Sequence, residues 1–432
     1  MREKILELKN KFLSDPLSKG IFIIASGSVI GQLISVITTL ITTRLYSPTD
    51  FGVLGLFTST LTVLALTGGF AYEMALPLPK DDEDAANIFI FFLILLSVTS
   101  ICFLIVCVLF GDSILSFFNI IALRSYVFLL IIGFFGVSLY GSLTYWVTRR
   151  RDYKRITYTK IYQSAGGSVT KITLGLLNAG AIGLLAGAVL SQMLGIGTLL
   201  RYMWEKDRGL FKSLSLSRMV DNAKRYIQFP LYSFPSGVIN ALALQLPVFM
   251  LSAIYGLRVV GMFTLAHSVL VLTSSLISTS MGQVYFAEVS KMTRENSREL
   301  KNLYLATTKK LLFIGTPLII IPSLLAPFLF PVVFGPVWSE AGWYCLPLAI
   351  VAIANFVISP TSVLLCYGYN HWGLIWDVSR TLLVLFSFYW IQVLSLPVMI
   401  ALFIYSIVMA VMYGVNYLLN IWAVDLHLQR GS

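Results

Sequence analysis

The chain has 432 residues, of which 57% are hydrophobic and 12% charged, with a formal net charge of +11 and a mean hydropathy of +0.83. Soluble domains carry about 25% charged residues, so a water-soluble globule is excluded. Apolar runs of roughly twenty residues recur along the chain, each long enough to cross a hydrocarbon core of about 30 Å.

In lipid a spanning segment must satisfy its own backbone hydrogen bonds, which leaves helices or a closed barrel. Barrel strands alternate polar and apolar residues, whereas the run from Ile88 to Phe110 is apolar on every side. The fold expected is therefore an all-α polytopic membrane protein of about twelve transmembrane helices.

In chain order, the mostly polar segment 1–19 lacks the short apolar core and small-residue cleavage site of a signal peptide. Its Ile5, Leu8 and Phe12 recur at helical spacing among Lys4, Lys9 and Lys11, which predicts an interfacial amphipathic helix. Helices are predicted over 20–44, 51–76, 88–110, 124–148, 156–178, 181–203, 230–254, 261–283, 309–333, 345–368, 377–394 and 398–422. Pro48, Pro336 and Pro397 fall in or beside connections, where helices stop.

The longest break is polar and basic, and it divides the chain into a six-helix lobe over 1–203, a linker over 204–229 and a second six-helix lobe over 230–432. On one side of the predicted topology lie 26 of the 31 Lys and Arg residues, against three on the other, Arg44, Arg124 and Arg258. The positive-inside rule then places both termini in the cytoplasm. It also accounts for the net charge without a nucleic-acid partner.

The halves echo each other. Leu45-Tyr46, Gly52 and Leu56 are matched by Ile254-Tyr255, Gly261 and Leu265, and Phe110-Gly111 by Phe334-Gly335 at the expected end of the third helix of each half. Six helices return the chain to the same side, so the lobes are expected to be parallel repeats related by a pseudo-twofold axis along the membrane normal. That plan suits a transporter with a site between two lobes.

Ionisable groups inside spans are expensive and tend to face a cavity or one another. On the fifth helix Lys160, Ser164, Gly167, Lys171, Gly175 and Asn178 share one face. Two readings of Lys171 stand: a cationic wall of an aqueous cavity, or a snorkelling lysine on a small-residue packing seam.

The first helix carries Ser28, Gln32, Ser35, Thr39 and Thr42, the seventh Ser233, Ser236 and Asn240, and the eighth Thr264, His267 and Ser275. Arg380 stands one turn after Asp377, either as a local ion pair or as a cavity cation. Glu73 can neutralise an Arg or Lys or carry a proton, and His267 can titrate; structural roles remain open for both.

Enzyme and metal signatures are absent. Outer loops are short and nearly devoid of acids, and no nucleotide-binding motif occurs. The acidic run Asp81-Asp82-Glu83-Asp84 reads as a solvated helix cap rather than a metal site. Cys102, Cys107, Cys345 and Cys366 have neither zinc nor redox spacing. No cofactor is expected.

The stretch Thr42-Thr43-Arg44-Leu45-Tyr46-Ser47-Pro48-Thr49-Asp50-Phe51-Gly52 resembles the first outer loop of the polysaccharide biosynthesis proteins, the Wzx-type oligosaccharide flippases. The segment Gly69 to Leu78, the basic run Arg149-Arg150-Arg151-Asp152-Tyr153 and the twelve-helix plan resemble them too. These proteins belong with the MATE-type multidrug exporters and lipid II flippases in one larger group.

The resemblance implies a bacterial inner-membrane flippase for an undecaprenyl-pyrophosphate-linked oligosaccharide, such as an O-antigen (lipopolysaccharide), capsule or exopolysaccharide unit. It implies alternating access through a cationic central cavity, with Lys171, Arg380 and Arg44 for the diphosphate and Gln32 and Asn240 among the polar partners for sugars. It further implies proton or sodium coupling, for which Glu73, Asp377 and His267 are the candidates, and as partners membrane lipids, a polysaccharide polymerase and a chain-length regulator.

The competing readings are a MATE-like ion-coupled exporter, which should line its cavity with acids, and a membrane glycan ligase or polymerase, which should carry a large outer loop.

Overall fold

The computed structural model describes residues 16–117, 120–294, 299–361 and 369–430, and every regular element among them is helical. The helices are α1 (Pro16–Leu45), α2 (Pro48–Ala65), α3 (Asp82–Phe117), α4 (Val127–Arg149), α5 (Tyr153–Leu176), α6 (Ala181–Met193), α7 (Ile196–Asp207) and α8 (Leu216–Arg225). They continue with α9 (Phe234–Tyr255), α10 (Leu257–Arg294), α11 (Leu300–Val333), α12 (Ser339–Ile358), α13 (Asn370–Val393) and α14 (Val398–Arg430).

Nine helical stretches among the described residues are long and apolar enough to cross a membrane. The protein is thus a multi-pass membrane protein. Helix is present at every predicted span, but 51–76, 156–178 and 261–283 are not among the nine. In α5 the reason is visible: Lys154, Arg155, Lys160 and Lys171 dilute its apolar character.

Two connections read as loops are largely helical. The 201–229 break holds the end of α7, a 3-10 turn over Arg208–Ser213 and α8. In the 284–310 break, residues 284–294 extend α10 and residues 300–310 belong to α11, and Tyr285, Val289, Leu300 and Tyr304 bury against Val424 of α14. Long-range packing of this kind leaves no local trace in a polar sequence. The predicted amphipathic helix over 1–19 falls almost wholly outside the described residues.

The chain forms two compact units, one of residues 1–46 and 57–238 and the other of Ser47–Leu56 with Ile239–Ser432. In the first, α1 lies along α5, α5 along α6, α6 against α4, and α3 against α4 and α8. In the second, α12 is the hub, packing on α10, α11 and α14, while α13 lies on α14.

Local chemistry explains how α2 starts. Pro48 occupies the first helical position, where a missing N–H costs nothing. Ser47 and Asp50 cap reciprocally: the Asp50 carboxylate accepts from the Ser47 N–H at 2.9 Å and from its hydroxyl at 2.7 Å, and Ser47 Oγ accepts from the Asp50 N–H at 3.2 Å. About one turn in, the helix meets α10 without side chains between them. A Cβ on Gly52 would collide with the Leu257 carbonyl, and one on Gly261 with that of Pro48.

The first internal echo is therefore structural, because its two glycines make one contact. Its tyrosines also act alike, Tyr46 donating to the Lys171 carbonyl and Tyr255 to that of Leu396, each at 2.6 Å. The turns after α5 and α13 match as well. Leu177, Asn178 and Ala179 donate backward to Thr173, Gly175 and Leu174 with Asn178 at positive φ; Leu394, Ser395 and Leu396 repeat the pattern on Trp390, Gln392 and Ile391 with Ser395 at positive φ. The second echo is not equivalent: Gly111 lies inside α3, whereas Gly335, at φ 112°, follows the end of α11.

Candidate functional site

In the first unit the polar stripes of α1 and α5 face each other. Lys160 Nζ donates to Ser28 Oγ at 3.2 Å and Thr38 Oγ1 to Ser168 Oγ at 2.6 Å, while Gly31 sits against Ser164. Ser35, Thr39 and Thr42 turn their hydroxyls back to carbonyls of their own helix. Gln32 is half-buried beside this seam.

Lys171 stands on the same helix as Lys160, half-buried, and its aliphatic stem lies where a Cβ on Gly187 would be. Gly167 and Gly187 let the α5 and α6 backbones approach closely, with the Gly187 carbonyl 2.9 Å from the position of a Gly167 Cβ. Tyr46 completes the support: its ring fills the gap between Gly175 and Gly183 and its hydroxyl ties the Lys171 carbonyl. Among the described residues the Lys171 ammonium makes no hydrogen bond or ion pair. Spacing alone did not point to Tyr46 or Gly187 as the parts that hold the lysine, since both act across helices.

In the second unit the structure brings together Arg380, Asp377 and Asn240. Arg380 is 2% exposed, pairs with Asp377 at 2.8 Å, donates to Asn240 Oδ1 at 2.9 Å and lies 4.4 Å over the Trp376 ring. Trp376 is fixed in turn by donating to the Met412 carbonyl at 2.6 Å, and nearby Tyr413 donates to Asn355. Arg380 is therefore neutralised by its own neighbour, although its Nε is buried without a partner.

The remaining candidates stand apart. Arg44 is exposed at the end of α1. His267 stacks on Phe263 at 5.6 Å on α10. Glu73 lies in a 3-10 turn over Tyr72–Ala75, directly after Phe70 and Ala71, which both take positive φ. Its Oε2 is buried with no hydrogen-bond partner, close to Gly69 and within electrostatic reach of Tyr145.

The acidic run starts α3, as expected of a cap, yet it is paired rather than merely solvated. Asp82 binds Arg149 and Arg150, each at 2.8 Å; Glu83 binds Arg218; and Asp84 binds Asn222 at 3.2 Å and faces Arg225. Arg149 also donates to the Leu76 and Pro79 carbonyls. Arg150 reaches Asp207 at 2.6 Å, which also accepts from Trp146 Nε1 at 2.9 Å. Partial burial opposes charge on Arg150, but the hydrogen bonds and charges of Asp82 and Asp207 hold its pKa above the ordinary arginine value. No cluster of three or more metal-ligating side chains occurs among the described residues. Cys102, Cys107 and Cys345 are free thiols, and Cys366 lies outside the described residues.

Comparison with known proteins places this geometry. A family model described as polysaccharide biosynthesis protein matches residues 41–342. The succinoglycan biosynthesis transport protein ExoT of Rhizobium meliloti (strain 1021) is 22% identical over 335 residues, which are 77% of this chain and 64% of that relative, less than two thirds of its length. Among solved structures, a multidrug resistance MATE family transporter of the MOP superfamily in its inward-facing conformation aligns with a TM-score of 0.69 at 16% identity, over 92% of this chain and 95% of that one. A MOP superfamily transporter from Pyrococcus furiosus aligns at 0.62 with 17% identity, over 96% and 97%. At such identities these two structures show the fold alone.

Proposed function

Because this chain belongs to the polysaccharide biosynthesis protein family, we propose that it is a flippase carrying an undecaprenyl-pyrophosphate-linked oligosaccharide from the inner to the outer leaflet of a bacterial inner membrane. It makes and breaks no covalent bond in this reading. Both termini lie in the cytoplasm, in keeping with the charge bias, and the basic segment 204–229 packs within the first compact unit. The glycan is an O-antigen, capsule or exopolysaccharide unit.

The observation that carries the reading is the Lys171 ammonium. A half-buried cation with no anionic partner among the described residues is poised for a ligand that brings its own negative charge. A pyrophosphate does so, and lysine binds phosphate as a point charge. Gln32 and the hydroxyls of the adjoining seam offer partners to sugar hydroxyls, and Arg44 adds charge at the outer end of α1. Arg380 and Asn240 serve the second unit as a neutral, hydrogen-bonded cluster. Of the three coupling candidates, Glu73 suits a proton best: Asp377 is already paired with Arg380 and His267 is stacked on Phe263, whereas Glu73 keeps an unpartnered oxygen.

The test is complementation of a strain lacking the gene. Lys171→Ala should abolish surface glycan while the protein still accumulates in the membrane, and Lys171→Arg should restore part of it. Normal glycan from Lys171→Ala would remove this residue from the transport path.

A further inference from the structure

Helix α8 carries a face that the fold of its unit leaves open. Leu216 and Val220 stand one turn apart on one side, Ile227 follows two residues past the end of the helix, and all three are exposed, Leu216 by 76%. The opposite side is fully engaged. Arg218 and Arg225 face Glu83 and Asp84, Asn222 donates to Asp84, the Ser215 N–H donates to Asn87, and Met219 is buried.

These contacts set the depth of the helix. Asp84 and Asn87 belong to the first turns of α3, where the span Asp82–Ser113 begins, and further spans end at Ser213 and begin at Phe229. A helix held between two spans and tied to the start of a third lies at the level of the bilayer surface. Its rim is cationic. Lys212 and Lys224 are exposed, and neither has an ion-pair partner among the described residues. Exposed Trp204 on the preceding helix adds an aromatic side chain of the kind that sits at headgroup level.

We propose that α8 is an interfacial anchor for anionic phospholipid, its Leu216 and Val220, with Ile227 just beyond its end, entering the acyl region while Lys212 and Lys224 hold headgroup phosphates. Charge complementarity favours the lipid over a soluble protein partner, because the apolar strip is narrow and flanked by unpaired cations at membrane depth. The assignment is independent of the transported substrate.

The full-length protein, with native cysteines replaced by serine, is reconstituted in nanodiscs of phosphatidylcholine with or without phosphatidylglycerol. Nitroxide labels on Leu216→Cys, Val220→Cys and Ile227→Cys should collide with oxygen in preference to a water-soluble nickel chelate. A label on Asp221→Cys should show the reverse. Nickel access at all four positions overturns the anchor.

A fluorophore on Val220→Cys should be quenched more strongly by brominated phosphatidylglycerol than by brominated phosphatidylcholine. Lys212→Gln and Lys224→Gln, both solvent-facing changes, should each reduce that preference about fivefold. Equal quenching by the two lipids, or a preference that survives both substitutions, overturns the anionic selectivity. Label mobility patterned with helical period shows that α8 remains folded in every variant.

Discussion

Lys171 and Arg380 are cations that the sequence places well inside spans, and the structure separates them sharply. Arg380 is buried against Asp377 and Asn240, so Arg380→Ala strands a carboxylate in a low-dielectric site and should cost about 3–5 kcal/mol. The melting temperature of the purified protein should fall accordingly. Arg258→Ala breaks an exposed pair with Glu340 and should change stability by at most about 1 kcal/mol. Lys171→Ala loses only the packing of its stem on Gly187, so it should lower the melting temperature far less than Arg380→Ala while eliminating transport, which separates a ligand-directed charge from a structural one. Glu73 offers a third contrast. Glu73→Gln should fold normally, because the buried oxygen loses no partner, and glycan export should lose its dependence on external pH. Retained pH dependence would assign coupling elsewhere.

Among elements, the contacts that matter most are the glycine-mediated ones. Gly52→Ala and Gly261→Ala each insert a methyl group into backbone, between α2 and α10, and should each destabilise by about 1–3 kcal/mol in thermal melts. Gly414→Ala on α14 meets open space and should instead stabilise by up to about 1 kcal/mol. Hydrophobic runs made the helices legible, and Pro48 marked the connection before α2. What could not be read was any partner across helices. Tyr46 and Gly187 support Lys171, and the acids at 82–84 meet Arg149, Arg150 and Arg218, through contacts that no local pattern encodes. Even the polar breaks at 201–229 and 284–310 are largely helical among their described residues, since their stability comes from burial against α3 and α14 rather than from their own periodicity.

For the whole molecule, the first internal echo marks a real correspondence, with paired tyrosine anchors and matched turns after α5 and α13. The match of Phe110-Gly111 with Phe334-Gly335 was a coincidence of letters. The compact units are not simply the two halves of the chain, because Ser47–Leu56 packs with the C-terminal unit. A chain cut after residue 228 tests this. The fragment 229–432 alone should be degraded rapidly, lacking the segment that covers Gly261, and co-expression with 1–228 should restore its level in membrane immunoblots. Full accumulation of 229–432 by itself would show that the borrowed segment is dispensable.

That borrowed segment also bears on how the protein is made. Gly52 rests on Leu257, about 200 residues later in the chain. At roughly 5–20 residues per second of synthesis, the start of α2 waits on the order of 10–40 s for the surface it belongs to. During that interval α1 and α2 must leave the translocon with a bare glycine-lined ridge facing lipid or an insertion factor. The chain therefore completes its second unit only by reaching back to its own earliest product, and slowed elongation between the two segments would lengthen the period of greatest vulnerability to membrane proteases.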